Sequence, residues 1–158
     1  MATSTVNVKK GLEGVVADTS KVSKVMPEIN SLVYRGYPVQ DLAEECSFEE
    51  VAYLLLHADL PNKKELSDFI NKEKEHRHIS KDLLAVIKHF PKHAHPMDTI
   101  RTGVSFLGME DERVWDNSES TNMDKAIRML AKIPVIIAGD YRCRKCNEII
   151  PPKKDLGF

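Results

Sequence analysis

The thiols near the end of the chain are the first residues whose type and spacing could do chemistry. Cys143 and Cys146 form a C-x-x-C pair, a spacing found in zinc sites and in thiol–disulfide redox motifs. A structural zinc site needs four ligands, and the third cysteine, Cys46, is distant in sequence with no second pair beside it. A redox motif needs a thioredoxin-like βαβ context, which the sequence does not predict. The pattern therefore favours two cysteines in a solvated loop.

The histidines are the second group that could do chemistry. His76 with His78, and His93 with His95, have the H-x-H spacing, which places both rings on one side of a strand but not of a helix. A metal site would also need ordered carboxylates close by. His95 precedes a proline at a helix start, where a histidine more often bonds a backbone group. We expect no metal site, and from these residues we expect no complete active site in this chain.

Length and charge limit the classes of function. The 158 residues fit one domain, for which we predict a flexible arm at 1–9 followed by a single folded region at 10–158. The net charge of -1 gives no general attraction to nucleic acid or to anionic membranes, so we expect neither as a partner. The longest apolar run is too short for a membrane span. Three cysteines, an odd number, give no disulfide framework, and we predict a cytoplasmic protein.

The elements that must position these residues are mainly helices, organised around the run from Ser47 to Pro61. Ser47 and Glu50 form an S-x-x-E capping box, which predicts a helix start. The following run, 51–56, is apolar around the whole helix circumference. Such a helix must be covered on nearly every side, so we predict that it is fully buried.

The remaining pattern predicts further helices and one hairpin. Strong β-formers on either side of turn residues indicate a hairpin over about 21–35. A surface helix from Asn62 carries apolar residues on one face, and the charges of 62–75 and of the acidic loop 110–119 are most simply solvated. The predicted helices cover 39–45, 48–58, 62–75, 81–90 and 98–108, with another that begins near Thr121.

The last helix carries two signals. Thr121 and Asp124 have capping-box spacing, and the apolar period continues beyond them. Pro134 must kink this helix, because it removes one hydrogen bond and clashes with the preceding turn. A strand at 135–138 is the alternative, since β-branched residues cluster there. We favour the helix.

Several strings in the chain resemble the amino-terminal part of the citrate synthase family. They are KGLEGVVADTSKVSKV (10–25), LVYRGYPVQDLAEECSFEEVAYLLLHADLP (32–61), AHPMDTIRTGVSFLG (94–108) and EIIPPKKDL (148–156). The string YRGY-x-x-x-DLAE-x-x-x-FEEVAYLLLH is highly specific, and HPMD-x-x-RTGVS supports it. The residues of these strings are most similar to those of the 2-methylcitrate synthase branch.

This resemblance implies an all-α fold, here mainly α with a small N-terminal hairpin, that forms part of a citrate-synthase-type large domain. The family condenses acetyl-CoA or propionyl-CoA, which are substrates rather than cofactors, with oxaloacetate. The family works as a dimer, and the resemblance places helices 81–90 and 98–108 at the dimer interface. In 98–108, Thr102, Gly103 and Ser105 would let backbones approach while the apolar residues of that helix supply contact.

The family's catalytic motifs, of the types G-P-L-H-G-G-A-N and G-x-G-H-x-x-Y, do not occur in this sequence. We therefore expect a segment truncated before the catalytic half and inactive alone, and we transfer no catalytic role. Arg77 aligns with an arginine at the end of a family helix and is a candidate substrate-binding residue. The surrounding HRHIS departs from the family's L-R-x-L-P, so a surface arginine remains the alternative. A non-catalytic product that acts only as a helical interaction or dimerisation module is the other functional hypothesis.

Overall fold

A computed structural model describes residues 10–16 and 18–158. Within these residues it contains six α-helices and one three-stranded antiparallel sheet, so the mainly α class with a small N-terminal sheet is confirmed. The chain divides into two compact units, one ending at Cys46 and the other covering Ser47–Phe158. The predicted arm at 1–9 lies outside the described residues. In the part of the chain that is described, no helix is both long and apolar enough to cross a membrane.

The first unit is a small sheet followed by one short helix. Its elements are β1 (Ser23–Met26), β2 (Ser31–Tyr34), β3 (Tyr37–Pro38) and α1 (Val39–Glu45), with 3₁₀ turns at Lys10–Leu12 and Pro27–Ile29. β1 pairs with β2 as predicted, with Val25 opposite Leu32. Asn30 ends the connecting turn in the left-handed region, with φ of 50°, which asparagine tolerates better than most residues. Gly36, with φ of 98°, then allows a tight turn that adds β3, a strand that the sequence did not indicate.

The second unit consists of five helices packed around the longest one. They are α2 (Phe48–His57), α3 (Lys63–His76), α4 (Lys81–His89), α5 (Pro96–Met109) and α6 (Glu119–Arg144). α6 packs against α3, α4 and α5, which makes it the central helix of this unit. The buried centre of the unit is formed by Ile79, Leu83, Ile87 and Ile136. The predicted helices are confirmed, with bounds that shift by no more than about two residues.

Three helix starts are capped by a side chain of the residue just before the helix. The Ser47 hydroxyl accepts a hydrogen bond from the Glu50 N–H (3.3 Å), and the Glu50 carboxylate accepts one from the Ser47 N–H (2.7 Å). Asn62 makes the same reciprocal arrangement at the start of α3. The Ser80 hydroxyl accepts from the Leu83 N–H at the start of α4 (3.0 Å). Caps of this kind stabilise a helix by about 1 kcal/mol each.

The capping box predicted at Thr121 is wrong. α6 already begins at Glu119, and Thr121 lies inside it, where its hydroxyl donates to Asp116 (2.7 Å). Asp116 also accepts from the Ser118 N–H (2.9 Å), so this carboxylate orders the turn before the helix and moves its start forward. Asp124 points to cations instead, with its carboxylate 3.1 Å from Lys72 Nζ.

α6 continues through Pro134 as one helix, so the helical interpretation is confirmed and the strand at 135–138 is wrong. The proline is exposed, while Ala131 and Ile136 on either side of it are buried. Burial of the helical face outweighs the β-propensity of the local residues. The kink at Pro134 stays a prediction.

α2 is less buried than its composition predicts. Within 51–56 only Leu54 is fully buried, and the other five residues are half-buried. α2 packs against α3 along one side, where the Tyr53 ring meets the Phe69 ring edge-on with centroids 5.6 Å apart. One packed side covers one face only, which is why the prediction of a fully buried helix is wrong for the described chain.

The packing of α5 also corrects a prediction. Gly103 is buried, and a Cβ atom there would lie 3.1 Å from Cδ1 and Cγ2 of Ile136, so this glycine serves the contact between α5 and α6 within the chain. Thr102 and Ser105 are exposed, as an interface would require. The apolar residues of this helix that would supply the interface contact are half-buried: Ile100, Val104, Phe106 and Leu107. Self-association through α4 and α5 stays a prediction.

Candidate functional site

The candidate substrate-binding residue Arg77 lies at the C-terminal end of α3. It is only 8% exposed, so the alternative of a surface arginine is wrong. Its Nε–H donates to both carboxylate oxygens of Glu73, at 2.8 and 3.0 Å, and Nη2 donates to one of them at 2.7 Å. Nη1 donates to the carbonyls of Lys153 and Leu156, at 3.2 and 3.0 Å. The guanidinium therefore ties the C-terminal segment to α3.

Glu73 is the partner that makes this arrangement stable. The sequence predicted it on the solvated face of α3, yet it is 1% exposed, and that prediction is wrong. The reason is the four-residue spacing between Glu73 and Arg77, which places the two side chains together on one helix face. The hydrogen bond from Arg77 to Glu73 raises the pKa of the guanidinium despite its burial. A buried pair held this way is an ion pair in which each charge compensates the other.

A groove of about 250 Å³ adjoins this pair. Its walls come from α3, α6 and the C-terminal segment, including Pro134, Leu156 and Phe158. The Phe158 ring stacks on that of Phe48 with centroids 4.1 Å apart, and the Phe158 N–H donates to Glu49 (3.0 Å). In this arrangement most donors of Arg77 are already occupied by protein oxygens. Its role in binding a substrate carboxylate stays a prediction.

A larger cavity of about 630 Å³ opens beside the C-x-x-C pair. Cys143 is half-buried near the last turn of α6, and Cys146 is exposed just beyond the helix. Both cysteines line this cavity, together with Lys88 and Lys92. The Lys92 ammonium donates to the Cys146 sulfur at 3.0 Å. The predicted solvated location therefore holds for Cys146 but not for Cys143, because Cys143 packs against the core.

A buried polar network fixes the loop that carries Lys92. Arg144 donates from Nη1 to the carbonyls of Lys92 (2.8 Å) and Ala94 (2.6 Å), and from Nε to Asp140 (2.6 Å). Asp140 also accepts from the Thr99 hydroxyl (3.1 Å). Asp140 and Thr99 are 5% and 3% exposed, so this network joins α5, α6 and the loop between α4 and α5 in the interior.

The histidine pairs lie in two separate places. His76 ends α3, and burial lowers its pKa, whereas His78 is exposed just after it. His93 and His95 are both exposed before α5, and the His95 Nδ1 accepts from the Met97 N–H (3.2 Å), as expected for a histidine at a helix start. Across 10–16 and 18–158, no group of three or more His, Cys, Asp or Glu residues could hold a metal ion.

Three contacts of these sites were missed from the sequence. The pairs Glu73–Arg77 and Asp140–Arg144 share an acid-to-arginine spacing of four residues, and this regular signal could have found both. The contact between Lys92 and Cys146 joins residues 54 positions apart, so no local pattern indicates it.

Comparison with known proteins defines the class. The family model described as "Citrate synthase, C-terminal domain" matches residues 11–158. The chain therefore belongs to the citrate synthase family.

Individual members of the family show how similar the chain is to particular enzymes. The chain is 48% identical over 151 residues to a citrate synthase of Mycolicibacterium smegmatis, covering 96% of this chain and 40% of the relative. It is 46% identical over 152 residues to a 2-methylcitrate synthase of Mycobacterium tuberculosis, covering 96% of this chain and 38% of the relative. The crystal structure of citrate synthase from Pyrobaculum aerophilum superposes with a TM-score of 0.85 and 33% identity, over 93% of this chain and 39% of that one. The chain thus spans about 40% of the length of these relatives.

Proposed function

We propose that this chain is the N-terminal, helical part of the large domain of a citrate or 2-methylcitrate synthase. The observation that carries the proposal is the high identity over 96% of this chain to relatives that bear both names, combined with coverage of 40% and 38% of their length. The complete enzyme would condense acetyl-CoA or propionyl-CoA with oxaloacetate, in the cytoplasm and without a cofactor. Proton abstraction next to the thioester and polarisation of the carbonyl oxygens would come from residues outside this sequence.

The role of this segment would then be structural support of the reacting groups. Catalytic geometry depends on rigid elements that hold the reacting groups in place. The buried network of Thr99, Asp140 and Arg144 and the ion pair of Glu73 with Arg77 supply such rigidity in the second unit. The same helices α4 and α5 would form the homodimer interface.

We expect residues 1–158 alone to have no synthase activity, because the motif residues that act on the acyl-CoA are absent from the sequence. Release of free CoA from acetyl-CoA or propionyl-CoA with oxaloacetate, followed with a thiol reagent, measures this. A heat-inactivated sample is the control. Oxaloacetate-dependent release of CoA above that control would contradict the expectation, since loss of a whole catalytic set costs several orders of magnitude in rate.

A chimera tests the proposal in the positive direction. Residues 10–158 would replace the matching segment of the Mycolicibacterium smegmatis citrate synthase. We expect condensation activity, with the ratio of kcat/KM for the two acyl-CoA substrates measured against the parent enzyme. A chimera that folds, as judged by circular dichroism and a cooperative melt, but has no activity would overturn the proposal.

The role proposed for Arg77 can be separated from its structural role in the same chimera. If Arg77 binds oxaloacetate, Arg77→Lys should raise the KM for oxaloacetate more than it lowers kcat. Glu73→Gln disturbs the same ion pair without touching the substrate and is the matched control. If the two variants have equal effects on kinetics and on stability, Arg77 does not bind oxaloacetate and only ties the C-terminal segment to α3.

The interaction-module hypothesis has one supporting observation. Trp115, Met109 and Val114, in and beside the loop after α5, are exposed apolar side chains. A contiguous apolar patch is typical of an interaction site, and under this hypothesis the three side chains would contribute to one. If this hypothesis holds, the chimera is inactive while the isolated chain still associates with a second copy.

A further inference from the structure

Lys92 and Cys146 form a nucleophilic pair that the proposed synthase function does not use. The Lys92 nitrogen lies 3.0 Å from the Cys146 sulfur, although the two residues are 54 positions apart in sequence. Both side chains are exposed, and both line the cavity of about 630 Å³. A small oxidant in solvent can therefore reach the sulfur while the amine is already beside it.

The backbone on both sides of this pair is fixed. Arg144 holds the carbonyls of Lys92 and Ala94, so the loop before α5 is tied to the end of the helix that leads into Cys146. Cys146 has a φ of 58°, and its N–H donates to the Cys143 carbonyl (3.0 Å), which closes the end of α6. Asn147 then donates from its N–H to the Arg142 carbonyl (2.9 Å). The nitrogen and sulfur are thus brought together by the fold rather than by one flexible side chain alone.

We propose that Lys92 and Cys146 are a site of reversible oxidation, at which hydrogen peroxide joins the two side chains through a covalent N–O–S bridge. In the first step the sulfur attacks one peroxide oxygen: the S–O bond forms, the O–O bond breaks, water leaves, and the thiol becomes a sulfenic acid. In the second step an N–O bond forms between the Lys92 amine and the sulfenic oxygen, while one N–H bond of the amine and the O–H bond of the sulfenic acid break. A second peroxide accepts two electrons and two protons and becomes two waters.

The balance is one thiol, one neutral amine and two peroxides giving one bridge and three waters. The amine must lose its proton before the second step. In the reduced pair, the hydrogen bond to the Cys146 sulfur raises the pKa of the Lys92 ammonium. Oxidation converts this sulfur acceptor to a sulfenic acid, so the interaction that favours the ammonium in the reduced pair is lost before the second step.

Cys143 offers the competing product. It lies three residues before Cys146 and lines the same cavity, so a sulfenic acid on Cys146 could condense with it to a disulfide. Cys143 is half-buried against the core, whereas the Lys92 nitrogen already contacts the Cys146 sulfur. Contact at the sulfur favours the lysine as the reacting group.

The products are separated by mass after peroxide treatment of the purified chain. Digestion after acidic residues places Lys92 and Cys146 on different peptides. The bridge joins these peptides and adds one oxygen while removing two hydrogens; a disulfide removes two hydrogens within one peptide. We expect the joined pair, its loss after excess dithiothreitol, and a higher melting temperature while the bridge is present, because it closes a long loop.

Variants make the test specific. Lys92→Arg keeps the positive charge but should abolish the joined peptides, and Cys143→Ser should leave them unchanged. A disulfide alone, sulfenic or sulfinic acid alone, or an unmodified Cys146 in the wild-type chain would overturn the proposal. A bridge that leaves the melting temperature unchanged would contradict the expected stabilisation by loop closure.

Discussion

At the scale of single residues, Arg77 shows how one buried charge can organise a segment distant in sequence. Its guanidinium neutralises Glu73 and at the same time holds two carbonyls of the C-terminal segment. Removing one member of a buried pair leaves the other charge without compensation, which costs about 3–5 kcal/mol. Removing both members costs less, since no buried charge remains.

We therefore expect Arg77→Met to lower the free energy of unfolding by about 3 kcal/mol, and Glu73→Leu/Arg77→Met to lower it by less. Urea unfolding at neutral pH, followed by the helical circular dichroism signal, measures both. The control is Arg101→Met, because Arg101 pairs with Asp98 on the surface with side chains 79% and 53% exposed. Loss of that pair should cost less than about 1 kcal/mol. Equal decreases in the free energy of unfolding for Arg77→Met and Arg101→Met would show that the buried pair of Glu73 with Arg77 has no special role in stability.

Asp116 is the second residue whose environment predicts a measurable effect. Its pKa is lowered from 3.8 to about 2, first by the hydrogen bond from the Ser118 N–H and then by the Thr121 hydroxyl. A lowered pKa in the folded state means that the carboxylate contributes stability that is fully present above pH 3.8 and is lost as the pH falls towards about 2.

The stability of the wild type should therefore decrease more steeply over that interval than the stability of Asp116→Asn. The two curves should run parallel above it. Urea unfolding at a series of pH values measures the difference, and Asp155→Asn in the exposed C-terminal segment is the control. Parallel curves throughout the acid range would show that Asp116 does not stabilise the start of α6.

At the scale of elements, the helices were predictable because their signals are local. Ser47, Asn62 and Ser80 each sit beside the amides that they cap, so a short window of sequence contains the whole interaction. The start of α6 was misplaced because Asp116 acts from outside the window that Thr121 suggested. The burial of Glu73 and the contact of Lys92 with Cys146 depend on how elements pack, and local spacing does not determine that.

Gly103 offers a test of the packing between α5 and α6. Gly103→Val should destabilise the chain by about 1–3 kcal/mol, because its side chain would meet Ile136 in a filled interior. Gly108→Ala on the same helix is the control, since its Cβ would have only ordinary contact with Val114 at 3.8 Å. That change should stabilise by up to about 1 kcal/mol through helix propensity. Thermal unfolding compares the two variants. Changes in stability of the same sign would contradict the tight contact at Gly103.

At the scale of the whole molecule, the resemblance predicted the family and the mainly α class, and both are confirmed. Two of the strings that carried it include α2 and most of α5, where the capping box at Ser47 and the buried Gly103 and Thr99 give local reasons for their sequence. Whether a surface is covered by another subunit or segment could not be predicted in the same way. A surface that another subunit or segment would cover has the same local sequence pattern whether or not it is covered.

Dimer formation can therefore be tested by introducing charged side chains on the predicted interface. If α4 and α5 form the homodimer contact, the chain should elute as a dimer, and Thr102→Arg/Ser105→Arg should convert it to a monomer without changing its helix content, because both side chains are exposed. Size-exclusion chromatography with light scattering measures this. Ser67→Arg on the exposed side of α3 is the control. A monomeric wild type, or a dimer that survives the double substitution, would contradict this interface.

Trp115 has a practical consequence for spectroscopy. It is the sole tryptophan of the chain and it is 89% exposed, so its indole is already surrounded by water in the native state. Its emission will shift little when the helices melt, and a fluorescence titration with denaturant would report almost nothing about folding. The same property makes it a clean optical sensor of contact: a blue shift of its emission would mean that something has covered the loop after α5.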